Sequence, residues 1–463
     1  MKRLAGLLIV AAVVAGAAIL PEPDPPSGPD FVGPETRESV AGASASVWYC
    51  PWVASGALRD SSVMLASRVA VDVKLTLPQQ LAGEPADVDE VRLEDAGALV
   101  VNVGEIVRRG DTPLFVEFTD GPAAAAAIIR GEQLLTGDTC VARIPKVWEL
   151  PGGTTREGRT MTLRLFNPFP ELAKVSVGGS SESGETGLVD LQNLDVEGRT
   201  WQDVDLNALV PPLDDLALTV TSSEGFVIPS LVIAGATDEA SWPGAAPATV
   251  FEFPVASSSS AFSPSLMVSS SNPAPVTVTI DVYTTEGATL AAREVEVDPS
   301  IPRRIALSDL AEGAMGVRVR SSAPVAAVVI AEESAVVLEP TDEEGQIEEG
   351  VELGDRIAGT IGISNPSSRW LLPGLQAVRD GEATLWLMNT GFETATVTLQ
   401  PLGVRDLPAT KVSVMAGVVL GVELGYDVSV GGYFVESSAP ISAAWSVESP
   451  FGIMFVTGTV VGG

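Results

Sequence analysis

Cys50 and Cys140 are the only cysteines in the 463-residue chain, and their pairing is the covalent chemistry that residue type and number support most directly. An even pair outside a reducing compartment reads as a disulfide. Cys50 sits in an opening apolar segment and Cys140 in a closing one, so the bridge would tie together the two ends of one folding unit. The alternative is a catalytic thiolate, but the sequence contains no histidine to activate it. The same lack removes Ser-His-Asp triads, histidine general bases and histidine-ligated zinc.

The remaining candidates are weaker. Sixty acidic residues allow many carboxylate pairs of the kind that hydrolyse glycosides, and that abundance leaves no pair singled out. No Ser-x-x-Lys, Gly-x-Ser-x-Gly or phosphate-binding glycine loop occurs. The reading is therefore not an enzyme, with no catalytic, cofactor-binding or metal residues and no cofactor. An acidic stretch at 332–355, with Thr341-Asp342-Glu343-Glu344-Gly345 and Glu348-Glu349, could attract calcium. It lacks alternating Asp spacing and reads first as a solvated loop. Trp48, Trp148 and Trp370 share a position in a repeat and are expected in the core or in packing between modules. Trp52, Trp201, Trp242, Trp386 and Trp445 fall outside it and could stack on sugars if exposed.

Charge narrows the partners. Lys and Arg number 27 against 60 Asp and Glu, a net charge of −33, whereas nucleic-acid phosphates demand clustered cations. Nucleic acid is excluded as a partner. Lys2 and Arg3 precede an uncharged apolar run at 4–20, which is an export signature. Because the run continues through Ala18, Ile19 and Leu20, it reads as an uncleaved single-pass membrane helix. Cleavage near Ala17, giving a secreted chain, is the alternative. The proline-dense stretch 21–34 cannot pack a core and reads as a semi-rigid stalk.

The elements that would position any of these residues show themselves as an internal repeat. Trp48-Tyr49-Cys50-Pro51, Trp148-Glu149-Leu150-Pro151, Phe251-Glu252-Phe253-Pro254 and Trp370-Leu371-Leu372-Pro373 share the pattern aromatic-x-x-Pro. A second landmark follows each: Ser67-Arg68, Asn167-Pro168, Asn272-Pro273 and Asn389-Thr390. A third comes before an apolar run and reads as a strand leading to a turn: Thr119-Asp120-Gly121-Pro122, Ser222-Ser223-Glu224-Gly225, Ser321-Ser322-Ala323-Pro324 and Ser437-Ser438-Ala439-Pro440. Three ordered landmarks at one spacing mark a repeated unit.

Within the units the period is two. Val276, Val278, Ile280 and Val282 alternate with Thr277, Thr279, Asp281 and Tyr283; Val69, Val71, Val73, Leu75 and Leu77 alternate likewise, as do Ala395, Val397 and Leu399. That is half-buried strand patterning. Units of about 100 residues with short alternating strands describe immunoglobulin-like sandwiches, each with its own core. The predicted fold class is all-β: four tandem immunoglobulin-like β-sandwich modules behind an N-terminal membrane helix. The divisions are a membrane helix at 1–20, a Pro-rich linker at 21–44, and modules at 45–145, 146–247, 248–365 and 366–463. The third module carries the acidic loop, expected as an enlarged hairpin between its last two strands.

Trp48-Tyr49-Cys50-Pro51 after a short exported stalk resembles the opening of an actinobacterial envelope-protein family of unknown function. The strand Leu163, Leu165, Asn167, Pro168 and the turn Ala323 to Val325 are similar to that family as well; Phe251 and Thr390 depart from its pattern. The resemblance implies an extracytoplasmic, multi-module protein and transfers no catalytic residue. The expected function is thus a non-catalytic, membrane-tethered scaffold or adhesion-type protein of the cell envelope, with an envelope protein as partner. A cell-wall glycan-binding protein is the alternative.

Overall fold

Alternating side chains become strands with one buried face, and the outer strands of this chain, such as Val71–Leu77 and Ala173–Ser181, obey that rule. The computed structural model describes residues 36–38, 46–53, 59–80, 83–107, 110–119, 121–131, 134–236, 238–257, 262–333, 356–374, 381–404, 407–424, 430–449 and 452–461. Among them are 34 strands, with helix limited to the single turn Val103–Ile106 and two shorter turns. Residues 1–35, the acidic stretch 334–355 and the expected membrane helix and stalk lie outside the described residues. No described helix is long and apolar enough to cross a membrane.

The strands form antiparallel sheets in consecutive pairs. In the first repeat, Ser46–Val53, Thr112–Thr119, Val71–Leu77 and Asp87–Leu93 make one sheet in that order. Ala98–Asn102, Arg59–Ser67, Ala123–Gly131 and Leu135–Thr139 make the other. The second repeat has a sheet of Val147–Gly153, Leu216–Glu224 and Ala173–Ser181 with two short edge strands. Its companion orders Thr200–Asp205, Thr160–Asn167, Ile228–Ala234 and Glu239–Pro243. The alternation is realised in part: Val276, Val278, Ile280 and Val282 are buried and Thr277 is exposed, but Asp281 and Tyr283, read on the open face, are buried as well. Val69 is the exception, standing exposed before its strand begins at Val71.

In the third and fourth repeats the third landmark differs from a strand leading to a turn. In the third repeat, Met315–Glu332 is continuous through Ser321-Ser322-Ala323-Pro324, and in the fourth Gly432–Ser449 is continuous through Ser437-Ser438-Ala439-Pro440. Each strand changes sheets there: Ser321 pairs with Val278, whereas Ala326 pairs with Ser269. In those two repeats the landmark is a corner at which one strand serves both sheets, whereas in the first and second Thr112–Thr119 and Leu216–Glu224 end at it and a new strand follows, as read.

The second landmark fastens that corner or the loop beside it. Asn389 is fully buried; its Nδ2 donates to the carbonyls of Glu393 (2.8 Å) and Val414 (3.0 Å), and its Oδ1 accepts from the Gly391 amide. Asn167 makes the same three bonds to Glu171, Val196 and Phe169. Ser67 Oγ and Asn272 Nδ2 instead donate to Pro122 and Pro324, the prolines of their own third landmarks. Asn389→Ala should cost about 2–3 kcal/mol, since three hydrogen bonds of about 1 kcal/mol each vanish and two carbonyls lose their donor. A urea titration with an unchanged midpoint would show that the turn holds without them.

The expectation of separate cores fails. One apolar cluster joins Val47 and Tyr49 of the first repeat and Met267, Val328 and Ile330 of the third to the interior of the second. Another joins Met64, Ala126, Ile128 and Leu135 of the first repeat to the fourth. Residues from Thr36 to Gly463 form a single compact unit. The reason lies in the last strand of each repeat, where Glu239–Pro243, Ile357–Ile361 and Gly452–Thr457 are buried almost throughout. Such runs need cover on both faces. Glu239–Pro243 packs against Leu135–Thr139 and Ile357–Ile361; Gly452–Thr457 packs against Ile357–Ile361 and, in turn, against Leu135–Thr139. The packing closes a circuit from first repeat to fourth and back.

Candidate functional site

The bridge expected from sequence is present: Cys50 and Cys140 form a disulfide with Cα atoms 4.5 Å apart, 90 residues apart in the chain. Cys140 follows the last strand of the first repeat directly, and the neighbouring residues Tyr49 and Val141 pair as an isolated bridge. Both sulfurs are buried in the first repeat's core.

The tryptophans are structural. Seven are buried and Trp48 is half-buried. Trp148 Nε1 donates to the Val227 carbonyl, Trp242 Nε1 to Pro151, Trp370 Nε1 to Ser367 and Ile441, and Trp386 Nε1 to Ser446 Oγ. The seven buried rings offer no open face of the kind that stacking on a sugar requires.

The groups with unusual chemistry collect where the hairpins joining the last two strands of each repeat converge. In the third repeat that hairpin is the expected one, with Glu332 opposite Ile357 and the acidic stretch between them. Arg356 at its base pairs with Glu333, donates to the Ser449 carbonyl of the fourth repeat's hairpin (2.8 Å), and covers the Phe262 ring. Arg156 of the second repeat reaches Glu332 at 2.8 Å, with Arg159 at 3.8 Å. Arg59 of the first repeat bridges Asp111 (3.4 Å) and Glu239 (3.0 Å). Arg164 is buried, gripped by both oxygens of Asp203 (2.7 and 2.6 Å) and stacked 4.3 Å from the Trp52 ring. In a chain of charge −33, these guanidinium groups hold the hairpin end together across repeat boundaries.

Two carboxyls there are far from their ordinary state. Burial pushes Asp238 up to about 8, against the pull of amide hydrogen bonds from Ile357 (2.8 Å) and Glu239 (2.9 Å). Burial likewise pushes Glu239 up to about 7, opposed by Arg59. Perturbed acids mark active sites and structural networks alike. Here both side chains are buried and adjacent in sequence, which suits proton uptake and does not suit flanking a sugar ring. Among the described residues no group of three acidic or thiol side chains is placed to hold a metal ion.

At the opposite end, the second residue of each aromatic-x-x-Pro motif crosses to another repeat, a role the sequence reading did not assign. Glu149 accepts from Ser269 Oγ (3.0 Å) and the Ser271 amide (3.2 Å). Glu252 accepts from Thr390 Oγ1 (2.8 Å) and Ser442 Oγ, with Arg318 at 3.3 Å. Tyr49 lies against Phe169, ring centroids 6.0 Å apart. Leu371 is buried with Ala66 and Ala124 of the first repeat. Three kinds of side chain, Tyr, Glu and Leu, do one job at one motif position, and only their shared position could have revealed it.

No curated protein matches the chain. Among solved structures, one titled "Crystal Structure of Thermotoga maritima 1070" is 15% identical with a TM-score of 0.20, covering 25% of this chain and 93% of its own; a likeness that slight carries no argument. The model of a family of unknown function, DUF5719, matches residues 123–236 and 240–451. Those two tandem stretches span well over half of the sequence, so the chain belongs to the family of unknown function DUF5719.

Proposed function

We propose that the chain is a non-catalytic, extracytoplasmic scaffold or adhesion-type protein, tethered to the cell membrane by residues 4–20, its body made of four immunoglobulin-like modules closed on one another. The observation that carries this reading is the separation of entry point from hairpins. Strand Thr36–Glu38 pairs with Arg143–Pro145, just before Val147–Gly153 begins. The far end of Val147–Gly153 pairs with Leu216 and leads to Arg156 and Arg159, at the hairpin end. The chain thus enters this body at Thr36, at the end of Val147–Gly153 away from Arg156 and Arg159. The Cys50–Cys140 disulfide supports an oxidising compartment.

A cell-wall glycan as ligand is the second reading. With the tryptophans buried, it rests on residues such as Phe392, which is fully exposed.

Full-length protein used as bait on intact envelope should capture an envelope protein and show no turnover of wall substrates. Retention on purified wall glycan instead would favour the second reading, and hydrolysis of it would overturn both. Mass spectrometry of the mature N-terminus tests the tether, because a chain starting at Ala18 in the medium would mean a secreted protein.

A further inference from the structure

Glu149 and Asp238 cross the same boundary, between the second and third repeats, from its two ends. Glu149 is 1% exposed and Asp238 2% exposed. Among the described residues the donors to Glu149 are the Ser269 hydroxyl and the hydroxyl and amide of Ser271, and no charged side chain faces it. Asp238 receives only the amides of Ile357 and Glu239. The charged groups around it are Arg159, Glu239 and Arg356, and both arginines are already engaged, Arg159 by Glu332 and Arg356 by Glu333. A buried carboxylate held by neutral donors alone keeps most of its desolvation cost. The acids at the other boundaries are compensated differently: Glu252 has Arg318 at 3.3 Å and Glu239 has Arg59 at 3.0 Å.

We propose that the boundary between the second and third repeats is a proton-operated clasp, closed when Glu149 and Asp238 are protonated and loosened when they ionise. The donors from Ser269, Ser271 and Ile357 all belong to the third repeat, so loosening either contact frees the two repeats from each other at that end. Burial raises both acids, Asp238 to about 8 from an ordinary 3.8. The closed boundary then binds more protons than the open one. Its stabilisation is complete below the ordinary carboxyl value and is lost as pH climbs through the raised value. Between those limits each group should multiply the opening constant about tenfold per pH unit. For Asp238 that window runs from about 4 to about 8.

Hydrogen exchange followed by mass spectrometry on the full-length protein tests this between pH 5 and 8. After correction for the base-catalysed intrinsic rate, the peptide holding Ile357 should lose protection about tenfold per unit, and the peptide holding Ser271 should lose protection as pH rises through the raised Glu149 value. Peptides from Val71–Leu77, far from the boundary, should not. Glu149→Gln and Asp238→Asn should each flatten the slope at the peptide their side chain contacts and leave the other peptide's slope in place. Flat corrected protection at both peptides in the wild-type chain would overturn the clasp, and so would slopes that survive in the variants. If a variant fails to fold, the wild-type profile decides alone.

Discussion

Cys140→Ser is expected to lower the unfolding free energy by about 4–5 kcal/mol on the chain-entropy estimate for a loop of this length, with measured cases more often at about 2–4. The loop closed by the bridge is 90 residues long. What distinguishes this protein is how the loss should be distributed. Were the repeats independent, the first would melt early and alone. Val47 and Tyr49 belong to the second repeat's cluster, however, and Met64, Ala126 and Ile128 to the fourth's. Calorimetry of the variant should therefore show one transition moved down as a whole. An early, separate transition covering about a quarter of the enthalpy would restore the picture of beads on a string.

Trp242→Ala should cost about 3–5 kcal/mol, the range for removing a large aromatic from a packed interior. Trp242 is fully buried in the last strand of the second repeat, donates to the Pro151 carbonyl at 3.2 Å, and lies directly over Gly359 of the third repeat. Its loss opens a void shared by two repeats and leaves a buried carbonyl without its donor. The converse probe is Gly359→Ala, whose new Cβ would stand 2.3 Å from the indole. That contact forces the ring or the strand to move, and overpacking of this kind costs about 1–3 kcal/mol. Thermal melts of the two variants check the pair. A small effect for both would mean that the strands of the second and third repeats are not locked through this ring.

Much of the fold was legible before any coordinates. Val276 to Val282 announced strands by their period, the aromatic-x-x-Pro motif marked each opening strand, and Cys50 and Cys140 could only pair with each other. The circuit was not legible, although its trace was present. Ala124 to Ile129, Val325 to Ile330 and Ile453 to Val456 run apolar without alternation. A strand with one buried face does not need that, so the second face had to be covered by something. The cover is the neighbouring repeat, which no local pattern names. The crossing residues were hidden for a related reason: Tyr49, Leu371 and the glutamates Glu149 and Glu252 share a place but no common chemistry across all four. The buried acids Asp238 and Glu239 were hidden by number, two among sixty.

The closing contact of the circuit also dictates a timetable. Thr457 Oγ1 donates to Thr139 Oγ1 at 3.0 Å across 318 residues of sequence, so the first repeat finds its last neighbour only when the final segment of the chain is available. Contacts of such long range are the slow ones in folding. A chain threaded N-terminus first through an export channel would hold Met64, Ala66 and Ala124 uncovered for most of its passage. Apolar surface exposed for that long aggregates at ordinary concentrations unless something shields it. If the chain is exported as proposed, its production should depend on holding chaperones during translocation far more than on the stability of the finished body, and truncation after the third repeat should yield insoluble material rather than a shorter string of domains.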